Sequence, residues 1–324
     1  MKNHALTLGA LLTFIFFSSC KKEVDNPVDS MQRMREFVIS ISQTAKSQDS
    51  DFIIIPQNGI ELVTEDGEPN SPPATTYLDA IDGHGQEDLY YGYDSDNVAT
   101  PAESIAYLTG FLNRSKNAGN TILAIDYCWT PAFVDQSYQN NFNQAYISFA
   151  ADDRELRTIP TYPSPIFNEN SEAILSLSQA KNFLYLINND TFDTKQDFID
   201  AVTATNYDLL VMDLFFWDGS SFTSQEVAQL KNKANGGKRL VICYMSIGEA
   251  EDYRYYWNTE WATNPPTWLD GVNPDWPGNY KVKYWESDWQ KIIYGNSDSY
   301  LTKIQNAGFD GVYLDIIDAF EYYE

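Results

Sequence analysis

The stretch AGFDGVYLD, residues 307–315, contains the unit on which the fold prediction depends. A helix is predicted to end at Gly308, an apolar run extends from Gly311 to Leu314, and Asp315 follows directly. Near-continuous apolarity is typical of a parallel strand that is covered on both faces. The stretch therefore predicts a buried parallel strand with an acid at its carboxyl end.

Similar apolar runs recur along the chain, and helical patterns separate most of them. The runs cover residues 52–55, 122–125, 146–150, 183–187, 209–212, 240–244, 280–285 and 311–314. Capping boxes at Thr100–Glu103 and Thr223–Glu226 predict two helix starts, and the second helix is predicted to close at Gly236-Gly237. Residues 83–87, GHGQE, fall in a polar stretch that is predicted to be a long loop.

Eight such units predict an α/β protein with one (β/α)8 TIM barrel over residues 31–324. A doubly wound sheet is the structural alternative, but no glycine-rich phosphate loop follows any predicted strand. Polar residues cluster where the apolar runs end, at Asn58, Asp126, Asp213, Glu249 and Asp315. In a barrel these ends converge on the face where active sites are built.

Composition narrows the possible functions. Lys and Arg total 21 against 46 Asp and Glu, so the net charge of −25 disfavours nucleic-acid partners. The hydrophobic fraction of 43% is too high for a disordered chain. Of the two histidines, His4 lies in the predicted leader, so a multi-histidine metal site is excluded and only His84 could serve a triad. Carboxylates are therefore the expected reagents, and no cofactor or metal is required.

The N-terminus predicts export and lipidation. Residues 1–19 are a predicted lipoprotein signal peptide, since Phe17-Ser18-Ser19-Cys20 resembles a bacterial lipobox. Cys20 would carry the lipid, and residues 20–30 would form a tether to the cell envelope on its periplasmic or outer face. The alternative is an ordinary secretory signal with an incidental cysteine. Cys128 and Cys243 are expected to be buried thiols, although the sequence leaves a disulfide open.

Several longer segments resemble one glycoside hydrolase family, typified by endo-α-1,4-polygalactosaminidase, whose members were once labelled as related to cysteinyl-tRNA synthetase. These segments are FIIIPQNGIEL (52–62), AIDGHGQEDLYYG (80–92), GEAEDYRYYW (248–257), NYKVKYWESDWQKII (279–293) and AGFDGVYLDIIDAFEYY (307–323). The resemblance implies a TIM barrel and hydrolysis of a glycosidic bond.

The order of these segments differs from the usual order in that family. There, the segment that resembles NFLYLIN (182–188) comes first, and the one that resembles YLDIIDAFEYY leads into one like MREFVISIS (34–42). We interpret this as a circular permutation, which a closed barrel tolerates because its usual termini lie close together. The hypothesis predicts that Glu324 lies near the residues just before the first helix, which is expected to begin at about Met31.

Glycosidic cleavage commonly uses two carboxylates. The resemblance implies that Asp315 is the nucleophile and Glu87 the general acid/base; from its position alone, Glu87 would be a surface acid and Asp315 could be structural. Predicted substrate-binding residues are Asp213, Glu249, Arg254, Asn58, Asp126, Tyr244 and Tyr127. Each of these could instead be structural, and Arg254 is the obvious ion-pair partner for one of the acids. His84 is expected to be incidental.

The sequence thus predicts a lipid-anchored glycoside hydrolase with a two-carboxylate retaining mechanism. The resemblance implies an α-linked galactosaminoglycan or a related amino-sugar polysaccharide as the substrate. The acidity is compatible with this, since an acidic cleft attracts a cationic polymer, but it is equally explained by solubility. We expect a monomer that contacts the membrane only through the lipid on Cys20 and binds no nucleic acid. The alternative is a non-catalytic glycan-binding surface lipoprotein on the same barrel.

Overall fold

A computed structural model describes residues 27–324. Its strands are β1 (Ile53–Pro56), β2 (Gly83–Glu87), β3 (Thr121–Tyr127), β4 (Ile147–Ala151), β5 (Leu184–Tyr185), β6 (Leu209–Met212), β7 (Leu240–Ser246), β8 (Glu249–Glu251), β9 (Leu269–Val272), β10 (Asn279–Val282) and β11 (Gly311–Asp315). Its α-helices are α1 (Pro27–Gln48), α2 (Thr75–Leu78), α3 (Ala102–Asn117), α4 (Pro131–Asn143), α5 (Lys195–Thr203), α6 (Ser224–Leu230), α7 (Ser287–Ile293) and α8 (Tyr300–Ala307). Short 3-10 helices cover Ile60–Val63, Leu177–Gln179, Thr259–Ala262 and Ile317–Tyr323.

Eight of the strands are parallel and form two sheets. One sheet has the order β1-β11-β7-β6-β5 and the other has the order β2-β3-β4. A parallel bridge between Gln57 and Gly85 joins the two sheets on one side. On the other side β4 contacts β5, but within residues 27–324 no strand pairing links them. The architecture is therefore parallel α/β with one open seam, and no closed barrel of hydrogen bonds is formed.

Two predictions about secondary structure were wrong, the loop at 83–87 and the place of the strand at 280–285 among the parallel strands. Residues 83–87 form β2, which pairs with β3, and not a loop. This strand is polar and rich in glycine because its neighbours leave little room: a Cβ on Gly85 would lie 1.9 Å from the Tyr313 hydroxyl. The predicted strand at 280–285 corresponds to β10, which pairs antiparallel with β8 and β9 in a separate small sheet.

The helices follow the predicted caps only in part. The hydroxyl of Thr223 accepts from the amide of Glu226 as a capping box requires, but α6 ends at Leu230, before the predicted glycine pair. At α3 no side-chain cap forms, because the Thr100 hydroxyl donates instead to the carbonyl of Asp88. Helix α1 begins at Pro27, within the segment that was expected to be a tether.

The two ends of the described chain lie together. The Ser30 hydroxyl donates to the carbonyl oxygen of Tyr323 at 3.4 Å, and the Tyr284 hydroxyl donates to the carbonyl oxygen of Ser30 at 2.7 Å. Helix α1 thus packs against the 3-10 helix that ends the chain.

Cys128 and Cys243 are both free and buried, as the sequence predicted. Between residues 27 and 324 there is no helix that combines the length and apolarity needed to cross a bilayer. Cys20 and the predicted signal peptide lie outside the described residues.

Candidate active site

A cavity of about 560 Å³ opens at the carboxyl ends of the parallel strands. Seven of the predicted site residues line it: Asp315, Glu87, Asp213, Arg254, Asn58, Tyr244 and Tyr127. Because they come from four different strands and from three segments that follow other strands, only the tertiary fold brings them together. This is the position at which α/β sheets of this type bind their ligands.

Glu87 lies at the end of β2, and donors surround its carboxylate. Its Oε2 accepts from Gln57 Nε2 at 2.7 Å and from Asn58 Nδ2 at 3.1 Å, and its Oε1 accepts from the Tyr127 hydroxyl. Burial nevertheless raises the pKa of Glu87 above its ordinary value, with the Tyr127 hydrogen bond acting in the opposite direction. The side chain is therefore held in one orientation and retains a proton more readily than a carboxyl in water.

Asp315 lies at the end of β11, and its Oδ2 accepts from the Tyr244 hydroxyl at 2.7 Å. Burial, together with the nearby negative charge of Glu87, raises the pKa of Asp315 to about 7. Asp318, which lines the same cavity, has its pKa raised to about 8 by burial and by the charge of Asp315. Carboxyls coupled in this way titrate as a set, so near neutral pH the cavity holds both protonated and ionised acids.

The backbone turns sharply after each of the strands that carry these acids. Asn58, Asp88 and Ile316 follow β1, β2 and β11 with φ values of 59°, 59° and 58°. A left-handed conformation is costly for a β-branched residue such as Ile316, so its surroundings must enforce it. Gly248 permits the turn, because a Cβ there would lie 2.0 Å from the Ile316 carbonyl oxygen.

Ion pairs form a second wall of the cavity. Arg254 Nη1 donates to both oxygens of Asp213, at 2.9 and 2.7 Å, and its Nε donates to Glu251 at 2.5 Å. Burial raises the pKa of Asp213, while the charge of Arg254 acts to lower it. Arg254 was predicted to pair with one of the acids, and it pairs with two.

Two predicted substrate-binding acids lie outside the cavity. Asp126 is fully buried and accepts from the amides of Tyr90 and Tyr91, the Ser137 hydroxyl and Asn141 Nδ2. Its oxygens are therefore occupied in anchoring the segment that follows β2.

Glu249 is likewise fully buried, behind the cavity wall. It accepts from Asn273 Nδ2, Asn279 Nδ2 and the Tyr322 hydroxyl, and these three residues line the cavity. Both corrections have the same cause. A carboxylate at a strand end can bond to neighbouring loops as readily as it can face the opening, and the local sequence is the same in either case.

Other cavity residues were not predicted. Gln57 adjoins the predicted Asn58 and could have been inferred from it, and Tyr185 stands out as the polar-tipped residue in an apolar run. Arg154 lies over the Tyr127 ring at 3.8 Å, and Trp276 comes from the loop between β9 and β10. Neither carries a local signal, because both reach the cavity through long-range packing.

His84 is fully buried within β2. Its Nε2 lies 3.0 Å from the carbonyl oxygen of Asn58, and burial lowers its pKa to about 4, so the ring is neutral near pH 7. It lies behind Asn58, which in turn donates to Glu87. Within residues 27–324, no group of three or more His, Cys, Asp or Glu residues is placed to hold a metal ion.

Residues 170–323 match the model of glycoside-hydrolase family GH114. This part of the chain is therefore similar to that glycoside hydrolase family, which has a TIM-barrel-like α/β fold. The matched segment contains Asp315, Asp213, Arg254 and Tyr244, but not Glu87.

Curated relatives match over similar lengths. A protein of Methanocaldococcus jannaschii is 41% identical over 157 residues, which cover 48% of this chain and 42% of that protein. Proteins of Thermotoga maritima and Deinococcus radiodurans are each 40% identical over 122 and 123 residues, covering 38% of this chain and 36% and 37% of theirs. The chain thus spans less than half the length of these relatives, all three of which are uncharacterised.

Proposed function

We propose that this protein is a glycoside hydrolase of the polygalactosaminidase type that cleaves an α-linked galactosaminoglycan or a related amino-sugar polysaccharide by a retaining mechanism. The observation that carries the proposal is the presence of Glu87 and Asp315 in one cavity, each oriented by a tyrosine hydroxyl. Burial raises the pKa of both carboxyls, and the charge of Glu87 raises that of Asp315 further, which allows one acid and one base to coexist near neutrality.

In the proposed reaction Asp315 attacks the anomeric carbon while Glu87 protonates the departing glycosidic oxygen. The carbon–oxygen bond to the leaving sugar breaks, and an ester forms between the substrate and Asp315. Glu87, now ionised, takes a proton from water as that water attacks the anomeric carbon, and the carboxylate of Asp315 leaves. The free enzyme is restored with its proton on Glu87, so every proton is accounted for.

The charge of the cavity lining supports an amino-sugar polymer as the substrate. Asp213, Glu251 and Asp318 line the cavity beside the two reacting acids, and Arg154 and Arg254 are both committed to ion pairs. A partly deacetylated amino-sugar polymer is cationic and would be attracted to such a lining. Purified protein is expected to release new reducing ends from α-1,4-galactosamine polymer and not from neutral α-glucans.

Asp315→Asn tests the nucleophile, and Asp318→Asn is its comparison in the same cavity. We expect Asp315→Asn to abolish turnover at pH 7, since an amide cannot form the ester. Asp318, with a pKa of about 8, is mostly protonated at pH 7, so its amide substitute is close to isosteric and should keep most of the activity. Full turnover by a folded Asp315→Asn variant would exclude the proposed role.

Glu87→Ala tests the acid/base. If the mechanism is retaining, azide should restore turnover on a substrate with a good leaving group by attacking the Asp315 ester, giving a glycosyl azide of retained configuration and a free carboxylate. Binding of the polymer with no release of reducing ends by the native protein at any pH would favour the glycan-binding alternative instead.

We further propose that the fold is a circularly permuted (β/α)8 barrel. The contact between Ser30 and Tyr323 supports this, because a short linker could join the two ends. Linking Glu324 to Pro27 and opening the chain at the exposed residue Thr161 should give a folded enzyme in the family's usual order. Opening the linked chain within the buried strand β7 is the control, and it should prevent folding.

Lipid anchoring through Cys20 is also a proposal. It rests on the lipobox resemblance of residues 17–20. Radiolabelled palmitate should be incorporated into the native chain in a bacterial host and not into Cys20→Ser, with Cys128→Ser as the control that keeps the label. Equal labelling of the native and Cys20→Ser chains would refute the anchor.

A further inference from the structure

A second cavity, of about 320 Å³, adjoins the active-site cavity on the side of β5 and β6. The two cavities share five lining residues, Ile187, Asn188, Asp213, Tyr253 and Arg254. They are therefore neighbouring parts of one cleft, and a polymer held in the first would continue into the second.

The second cavity has an aromatic lining. Phe215, Phe216, Trp217, Tyr253 and Tyr255 all contribute to it. Trp217 is 57% exposed, so its ring is accessible to a ligand that enters this cavity. The residue is thus a candidate for ligand contact and contributes little to the packed core.

Hydrogen bonds fix Trp217 in this exposed position. Its indole Nε1 donates to the carbonyl oxygen of Phe192 at 2.9 Å, and its backbone amide donates to Asn189 Oδ1 at 2.7 Å. Asn189 is buried and also donates to the carbonyl of Phe215 at 3.0 Å. The ring is therefore preorganised, and a ligand that stacks on it loses little side-chain entropy.

The polar lining of this cavity suits an amino sugar. Asp190 is exposed at its edge, while the charge of Asp213 is already paired with Arg254. A galacto-configured pyranose presents several C–H bonds on one face, and these pack against an indole ring. An ammonium group on the same sugar could then reach the carboxylate of Asp190.

We propose that Trp217 and Asp190 form a subsite that binds a further amino-sugar unit of the polymer whose scissile bond lies between Asp315 and Glu87. This inference rests on the proposed function. It adds a residue that makes the rate of hydrolysis depend on the length of the polysaccharide. Trp217 acts through substrate binding, at a distance from the bond that is cleaved.

The test compares initial rates on α-1,4-galactosamine oligomers from disaccharide to octasaccharide. Trp217→Ala should lower kcat/KM on the long oligomers by about ten-fold, mainly through KM, and leave the shortest cleavable oligomer unaffected. Trp217→Phe, which keeps an aromatic face, should lie much closer to the native enzyme than Trp217→Leu. Asp190→Asn should weaken binding of long oligomers only when their amino groups are free and charged.

Trp129→Ala is the matched control. Trp129 is 52% exposed and lines neither of the two cavities, so Trp129→Ala should leave kcat/KM unchanged on long and short oligomers alike. If the native enzyme is active and Trp217→Ala shows the same dependence of kcat/KM on oligomer length as the native enzyme, the subsite is wrong but the proposed function is not. An equal loss of kcat/KM on all oligomers, together with a lower Tm, would also overturn the subsite, because it would show that Trp217 acts through the stability of the fold. A native enzyme that cleaves no oligomer would instead overturn the proposed function.

Discussion

The hydroxyl of Tyr244, on β7, donates a hydrogen bond of 2.7 Å to Oδ2 of Asp315, on the adjacent parallel strand β11. The bond opposes the influences that raise the pKa of Asp315, of which burial and the charge of Glu87 are the largest. Tyr244 is thus placed to keep the proposed nucleophile ionised at the pH of catalysis.

Tyr244→Phe should move the acidic limb of the pH profile of kcat/KM to higher pH. The hydrogen bond favours the ionised carboxyl, so its loss raises the pKa of Asp315 above about 7. Steady-state rates across the pH range, with a short oligomer as substrate, measure the shift. An acidic limb that stays in place or moves to lower pH would show that Asp315 is not the group that titrates there.

Asp315→Asn should stabilise the protein, and more so at higher pH. The native carboxyl keeps its proton up to about pH 7, whereas in the unfolded chain it ionises near 3.8. The native state therefore binds more protons between these values, and its stability falls as the pH rises through that window. The variant lacks this loss, so its gain should reach on the order of 4 kcal/mol by pH 8. Urea unfolding at pH 4 and pH 8 tests this, and an equal difference at both values would contradict it.

Gly248→Ala should destabilise the protein by about 1–3 kcal/mol and reduce turnover, because the added methyl lies 2.0 Å from the Ile316 carbonyl oxygen. The turn at Ile316 follows Asp315 directly, so relief of the clash would move the carboxyl. Gly110→Ala is the control: it lies within α3 with no atom within 4 Å of the added methyl, and it should gain about 0.5–1 kcal/mol. Thermal unfolding and initial rates of both variants provide the comparison.

Lys233→Met should destabilise the protein by about 3–5 kcal/mol, because it leaves the carboxylate of Asp208 buried without its partner. Lys233 Nζ donates to Asp208 at 2.8 Å, and both side chains are 0% exposed. Lys291→Met is the matched control, since Lys291 and Asp288 are 67% and 71% exposed and such pairs contribute little. Similar losses of unfolding free energy in the two variants would contradict the expected difference between the buried and the exposed ion pair.

Several features could be predicted from the sequence because they depend on near neighbours along the chain. The apolar run before Asp315 predicted a parallel strand, and Gly308 at φ 83° ends α8 as expected of a helix C-cap. The Thr223 capping box formed for the same reason. The location of Asp315 followed from its position at a strand end, whereas its proposed catalytic role, and any role for Glu87, required the family resemblance.

Only the tertiary structure decided what the acids do. Asp126 and Glu87 both end parallel strands, yet Asp126 is enclosed by four donors while Glu87 faces the cavity. Strand β2 was not predicted because it has no apolar pattern. Its Gly85 instead leaves room for the Tyr313 side chain, a contact that only the tertiary structure brings about. Hydrogen bonds and charges act between atoms that the chain brings together from far apart, so the chemistry of each carboxyl was determined only when the strands had assembled around it.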